Sequence, residues 1–397
     1  MTMVKRVLFL CSVYKPNVGG VETSIDELSR ALAQQGIESR ILTKRFPHTL
    51  SETEVMGDAK VFRFERPKTD AEYAPALKRT LSLLDRWKPD IIHLIGIRRP
   101  MPLFALLLAK FWNVPLLVTF AGGDLPDKTD PESISIWKEG ASTVPNAVRQ
   151  ADGWSAFSQF TANQAKIAVG DLGRISVVYG GVNTQTIKST KPATRNRPYF
   201  LVARRLERVK GIDILLDAFA SVADMLPSYE LVIAGDGSAR AALKEQAKRL
   251  GIGDKVVFLG AVSQTEVFSL MKGAAAHICP SRAESGGLVN WEAQAAGCVS
   301  IGSDAGGIPE YIVDGKTGLV FQNGDARELA RKLISCIKEP DVMKRMRDVA
   351  SELSVKRGWD EFGRTYQKLY DHIIAGYSYK PLVAWSPLSG ELAAIAD

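Results

Sequence analysis

Two cations and two carboxylates stand out by their spacing. Arg205 and Lys210 sit in RLERVKG at 205–211 with four residues between them. Glu284 and Glu292 sit in ESGGLVNWE at 284–292 with seven between them. Arginine offers phosphate oxygens a planar fork, and lysine a compact point charge. Gly286 and Gly287 let a backbone approach a ligand closely, and free amides at the head of the following helix can point at phosphate. Glu292, about one turn inside that helix, can accept two hydrogen bonds from ribose hydroxyls. Glu284, ahead of the turn, can hold a sugar hydroxyl. Such a set suits a diphosphate whose negative charge grows as a sugar–oxygen bond breaks. Each piece alone also reads more plainly, as solvated cations and as acids that favour a helix start.

A diphosphate can instead be held by a divalent metal, which usually brings clustered acids such as D-x-D. The sequence contains no D-x-D. Cys11, Cys279, Cys298 and Cys336 are scattered without a C-x-x-C pair, which fits neither a zinc site nor a disulfide framework and suits a reducing cytosol. His93 and His277 lie in apolar strands as packing residues, and His48 and His372 have no convergent partners. No metal or other cofactor is therefore expected. Net charge is +7, but no Lys/Arg block is interleaved with aromatics, which excludes nucleic acid as the expected partner. Arg98, Arg99, Lys110 and Trp112 read first as a solvated face and only second as a basic, aromatic rim, which leaves peripheral contact with the inner face of a membrane open.

These residues must be positioned by a framework. At 397 residues the chain is too long for one ordinary core, and strand and helix alternate along it, as in parallel sheets covered by helices. The basic start followed by VLFL at 7–10 resembles a signal peptide, yet no small-residue cleavage site follows, and the run reads as the first strand. Further strands are expected at 37–43, 90–95, 115–120, 152–157 and 175–179. The polar stretch Ser189–Pro198 reads as a linker. The alternation then restarts with YFLVA at 199–203, a helix at 212–226, ELVIAG at 230–235, a helix at 238–250 and KVVFLG at 255–260. Strands AHICP at 276–280, CVSIGS at 298–303 and GLVF at 318–321 follow. The expected organisation is an acceptor-side domain over 1–190, a donor-side domain over 199–359, a helix over 360–377 crossing back to the first domain, and a weakly patterned tail over 378–397. Two Rossmann-like domains would face a central cleft with the carboxyl ends of their strands.

The E-x7-E segment resembles that of glycosyltransferase family 4, whose fold is GT-B. The similarity runs in order along most of the chain: PNVGGVET at 16–23, RLERVKG as an R-x4-K motif, IAGDG at 233–237, and AGGIPEYIVDGKTGLVF at 305–321. The resemblance implies a retaining, usually metal-independent hexosyl transfer from a UDP-, GDP-, ADP- or dTDP-linked sugar to an acceptor hydroxyl. It further implies roles: Gly19 and Gly20 close over the donor phosphates, and Arg205 and Lys210 bind the diphosphate. Glu284 contacts the donor sugar, the amides of Ser285, Gly286, Gly287 and Leu288 the phosphate or sugar, and Glu292 the ribose. The base lies near Gly235 and Phe258–Val262. Arg204 and Arg208 read as surface neighbours.

The chain departs from the family in three places. Many relatives read T-F-H-G-x-D where this chain has Thr119-Phe120-Ala121-Gly122-Gly123-Asp124, so alanine replaces a histidine near the donor sugar and the sugar stays open. Gly122 and Asp124 remain candidates for acceptor contact or loop ordering. Gly286 stands where phenylalanine is common, which is expected to open the pocket or loosen the loop. The N-G-V-D turn appears as Gly180-Gly181-Val182-Asn183. Alternatives are a nucleotide-sugar epimerase, a retaining phosphorylase, or a non-catalytic nucleotide-sugar binder. A nicotinamide enzyme is disfavoured because neither first strand is followed by G-x-G-x-x-G.

Overall fold

The apolar runs that the sequence presents become central strands buried on both faces, as parallel sheets require. The computed structural model describes residues 3–17, 19–67, 69–84 and 86–378; the expected tail beyond Ser378 lies outside them. In the first unit, β1 (Arg6–Cys11), β2 (Glu38–Lys44), β3 (Thr53–Met56), β4 (Ala59–Phe64), β5 (Ile91–Ile95), β6 (Leu116–Phe120), β7 (Gly153–Ala156) and β8 (Ile175–Val177) form one sheet. Its order is β3-β4-β2-β1-β5-β6-β7-β8, parallel except for the β3–β4 pair.

The hairpin of β3 and β4 was not expected from the sequence. Arg63 breaks the apolar pattern of β4, yet its side chain is 1% exposed and lies 2.9 Å from Glu54. It also donates to the carbonyls of Ser51 at 3.1 Å and Lys15 at 3.2 Å. A buried cation satisfied in this way leaves a polar mark on an interior strand.

The last helix, Trp359–Gly376, belongs to the first unit. His93 on β5 bonds Tyr370 of that helix at 2.7 Å and Thr119 on β6 at 2.6 Å. Burial pushes this imidazole down to about 3, so it serves as a neutral bridge. Gly363 allows the close approach, because a Cβ there would lie 2.5 Å from Ala31.

The second unit holds β9 (Tyr199–Ala203), β10 (Glu230–Ala234), β11 (Val256–Gly260), β12 (Ala276–Cys279), β13 (Val299–Ser303) and β14 (Gly318–Phe321). The order is β11-β10-β9-β12-β13-β14, parallel throughout. The units divide at Gly180–Gly181, ahead of the stretch expected to link them. Asn183 caps the short helix Thr184–Ser189, and Ile187 of that helix packs with Tyr199, Phe268 and Trp291. The polar stretch is then pinned to the same unit: the Ala193 amide donates to Ser269 O at 2.8 Å and Arg195 pairs with Glu230 at 2.6 Å. Polar composition suggested a linker, but specific side-chain pairs fasten it down.

Candidate functional site

The order of the second sheet reverses between β9 and β12, and the loops after these two strands carry the charged residues singled out by spacing. Ligands of such sheets bind at the carboxyl ends of the strands where the order reverses. The loops are fastened together. The Arg282 amide donates to Val209 O at 2.8 Å, and its guanidinium forks onto Asp213 with both contacts at 2.7 Å. Gly211 has φ +66, and a Cβ there would fall 1.9 Å from Pro280 O, so only glycine permits this approach.

Glu284 is the centre of the site. Its Oε2 accepts from Arg204 Nη2 at 2.5 Å, Lys210 Nζ at 3.0 Å and Ser281 Oγ at 3.3 Å. Oε1 has no hydrogen-bond partner among the described residues. Burial by itself raises this carboxyl, but the cations of Lys210 and Arg204 outweigh it and hold the group at about 2. Glu284 is thus an ionised acceptor with one oxygen to spare.

Arg204 corrects the sequence reading. Expected at the surface, it is 7% exposed, with Nη1 2.9 Å from Cys279 Sγ and Nη2 on Glu284. Arg205 is exposed and makes no hydrogen bond or ion pair among the described residues. Successive side chains at the end of a strand point to opposite sides, so of two adjacent arginines one turns inward. That doublet was the signal in the sequence. Arg208 is exposed, as expected.

Two glycine turns back this arrangement. Gly235, at φ +145, would place a Cβ 1.9 Å from Arg204 O. Gly306, at φ +56, would place one 2.0 Å from Glu284 O, which also accepts the Gly307 amide at 2.9 Å. Gly306 and Gly307 were visible only as part of a signature, not as supports of Glu284.

Glu292 lies in the helix Leu288–Ala295, half-buried, and its Oε1 accepts from Gln264 at 3.1 Å. Burial pushes its carboxyl up to about 7, with Gln264 pulling the other way. Ser285, Gly286 and Gly287 form the turn into the helix, which Leu288 begins. Gly286 does not open space as expected. A Cβ there would meet Tyr311 Oη at 3.0 Å and its ring at 3.3 Å, so the tyrosine already fills that volume. Asn290, fully buried in the same helix, has neither amide atom hydrogen-bonded.

In the first unit, Gly19 is extended at φ −164 and precedes the helix Gly20–Ala33. A Cβ on Gly20 would meet nothing within 4 Å, so the backbone itself does not demand glycine there. Asp124 is buried and accepts the Ile97 amide, while burial raises its carboxyl. It therefore orders the loop after β5, and Gly122, at φ +102, turns the chain toward it. Arg98 and Arg99 precede the helix Met101–Trp112, whereas Lys110 and Trp112 end it. That separates them by roughly 16 Å at 1.5 Å per residue, so they form no common rim. His48 has a partner after all, Glu65 at 2.8 Å. Among the described residues no helix is long and apolar enough to cross a membrane, and no three His, Cys, Asp or Glu side chains are grouped to hold a metal.

Comparison with known proteins bears on the family and the fold. The profile described as Glycosyltransferase Family 4 matches residues 18–186, and that described as Glycosyl transferases group 1 matches 183–352. The chain is 28% identical to a D-inositol 3-phosphate glycosyltransferase of Streptomyces scabiei, over 89% of this chain and 86% of the relative. It shares its fold with a sucrose-phosphate synthase from Thermosynechococcus elongatus at TM-score 0.81 and 18% identity, covering 94% of this chain and 100% of that one. HepE of Anabaena, crystallised with UDP-glucose, aligns at TM-score 0.75 and 19% identity over 92% of this chain and 99% of that one.

Proposed function

The chain belongs to the group 1 glycosyl transferases, family 4 with the GT-B fold, and from that premise we propose a metal-independent transfer that retains configuration at the anomeric carbon. The donor is a nucleotide sugar and the acceptor carries a hydroxyl. One observation carries the reading: Glu284 is ionised between Arg204 and Lys210 with Oε1 open, next to an unpaired, exposed Arg205.

Arg205 and Lys210 take the donor diphosphate. As the bond from the anomeric carbon to phosphate oxygen breaks, charge builds on the leaving nucleoside diphosphate, and fixed cations stabilise that state more than the ground state. Lys210 turns from Glu284 toward the phosphate, and Arg204 keeps the carboxylate paired when it does. The acceptor oxygen bonds the anomeric carbon on the face the nucleotide leaves, and its proton passes to the departing phosphate oxygen. Glu284 Oε1 accepts a hydroxyl of the donor sugar, and the amides of 285–288 meet phosphate or sugar. Glu292 accepts the ribose hydroxyls, with the base near Gly235 and Phe258–Val262. Four free cysteines, all buried, suit a cytoplasmic setting.

A thermal-shift screen of UDP, GDP, ADP and dTDP with their sugars tests the donor, since a ligand that binds the folded state raises its apparent stability. UDP is the first probe, given the ligand of the Anabaena structure. Glu292→Ala should weaken nucleotide binding, and Lys210→Ala should mainly lower turnover. Full activity in both variants would refute the site.

A further inference from the structure

The order of the first sheet also reverses, between β1 and β5, and cations gather at the carboxyl ends of the strands there. Lys44 ends β2 and pairs in register with Phe64 of β4. Partners in a parallel ladder share a face, and Phe64 stacks at 4.6 Å on Phe104 of the helix Met101–Trp112. Lys44 therefore lies on the face that this helix covers. Arg98 is in the loop entering the same helix, and its carbonyl accepts Ser12 Oγ at 3.3 Å, which ties it to the end of β1. Arg66 follows β4 by two residues.

Three acids stand near these cations: Glu139, Asp124 and, acting on Cys11 beside Lys44, Glu22. Glu139 lies 3.6 Å from Arg66, a pair exposed at 49% and 61%. Neither Lys44 nor Arg98 has an ion pair among the described residues. Burial, then repulsion from Arg66 and Arg98, lowers Lys44 to about 8, with weaker opposing pulls from Cys11 and Glu139. Arg98 also acts on Asp124, whose carboxylate is engaged by the Ile97 amide. Cys11 is a buried thiol pushed up to about 12 and supplies no charge near neutral pH. The first turn of the helix Met101–Trp112 carries no acid, so its free amides add to the positive field. Holding three cations together costs free energy that an anion would offset.

We propose that Lys44, Arg66 and Arg98 form a subsite for a compact oxyanion, phosphate or carboxylate, borne by the acceptor. The acceptor clause rests on the transferase reading; the anion site stands on the geometry of the first unit.

Calorimetric titration of the full chain with inorganic phosphate tests it, in the parent, in Lys44→Gln/Arg98→Gln and in Arg205→Ala/Lys210→Ala. The last variant removes the cations assigned to the donor diphosphate and should keep a phosphate site. The first should weaken that site by about tenfold or more, as expected for lost charge-assisted hydrogen bonds. Phosphate binding that persists in Lys44→Gln/Arg98→Gln and vanishes in Arg205→Ala/Lys210→Ala overturns the proposal. Thermal melts check folding. If the double glutamine variant does not fold, the exposed Arg66→Gln takes its place, and unchanged phosphate affinity there overturns the proposal equally.

Two arms identify the source of the anion. Binding to phosphatidic acid vesicles that is lost in Lys44→Gln/Arg98→Gln assigns it to a lipid headgroup. A preference of about tenfold in kcat/KM for a soluble alcohol bearing phosphate over the same alcohol without it, lost in that variant, assigns it to a free acceptor. Equal use of both alcohols with no vesicle binding overturns the acceptor clause. UDP binding, measured alongside, should survive Lys44→Gln/Arg98→Gln; its absence from the parent counts against UDP as donor and leaves the subsite standing.

Discussion

Arg204 and Glu284 meet at 2.5 Å with only 7% and 17% of their side chains exposed, so this carboxylate has a buried counterion besides Lys210. Lys210 reaches the same Oε2 at 3.0 Å. With two cations and one anion, the cluster keeps a net positive charge. A carboxylate paired to Lys210 alone would cancel that charge.

Removing Arg204 should therefore harm both stability and turnover. Arg204→Met is expected to cost about 3 kcal/mol in urea denaturation, because a buried charge loses its partner. It should also lower kcat by about tenfold to a hundredfold. Arg204→Lys should restore part of kcat by restoring the charge. A methionine variant with parental kcat would show that Lys210 does not need this counterion.

Glu292 predicts a pH dependence. Its carboxyl is raised from 4.5 to about 7 in the folded chain, so between these values the folded state binds more protons than the unfolded state. The stability due to this group is full below about 4.5, falls as pH rises toward 7, and is lost above it. Ribose hydroxyls donate better to the carboxylate, so UDP affinity should rise with pH through about 7. Titrations at pH 6 and 8 check this, and Glu292→Gln should flatten the difference.

Glu284 carries the opposite sign. It is lowered from 4.5 to about 2, so its contribution to stability is present above 4.5 and lost as pH falls toward 2. No limb of the kcat profile between pH 5 and 9 should belong to it. Such a limb that disappears in Glu284→Gln would contradict the ion cluster.

Gly306 and Gly315 separate backbone strain from contact with the site. Both have left-handed φ, at +56 and +70, but a Cβ on Gly306 would lie 2.0 Å from Glu284 O and one on Gly315 would meet nothing within 4 Å. Gly315→Ala should lose about 1 kcal/mol and keep its activity. Gly306→Ala should lose more and lower kcat, because the Glu284 backbone must shift. Equal effects in both would remove the turn's role in placing Glu284.

Ala121 tests donor choice. Ala121→His should change the ranking of nucleotide sugars by kcat/KM, measured over a panel. An unchanged ranking would separate this position from the sugar.

Much of the site was legible because its backbone requirements leave glycines and its charges leave fixed spacings. Arg205, Lys210 and Glu284 fall on loops, and Glu292 one turn into a helix, at a strand reversal of one sheet, as their flanking patterns implied. Arg204 was missed because a charged residue at a strand end looks solvated until its partner, eighty positions away, is known. Gly286 was read as space because the sequence does not say that Tyr311 fills it. The β3–β4 hairpin was hidden by Arg63, a charge in an apolar run whose partners Glu54 and Ser51 lie on the facing strand and just ahead of it.

The sequence by itself determined the alternation of buried strands and amphipathic helices, since hydrophobic periodicity is a local property of the chain. It also set Arg205 and Lys210, and Glu284 and Glu292, at fixed spacings beside glycines. Tertiary structure decided which of two adjacent arginines turns inward, which oxygen of Glu284 stays open, and which cations lie together after β2, β4 and β5. Those outcomes depend on pairings between segments far apart in the chain, where burial makes an unpaired charge costly and so selects its partner.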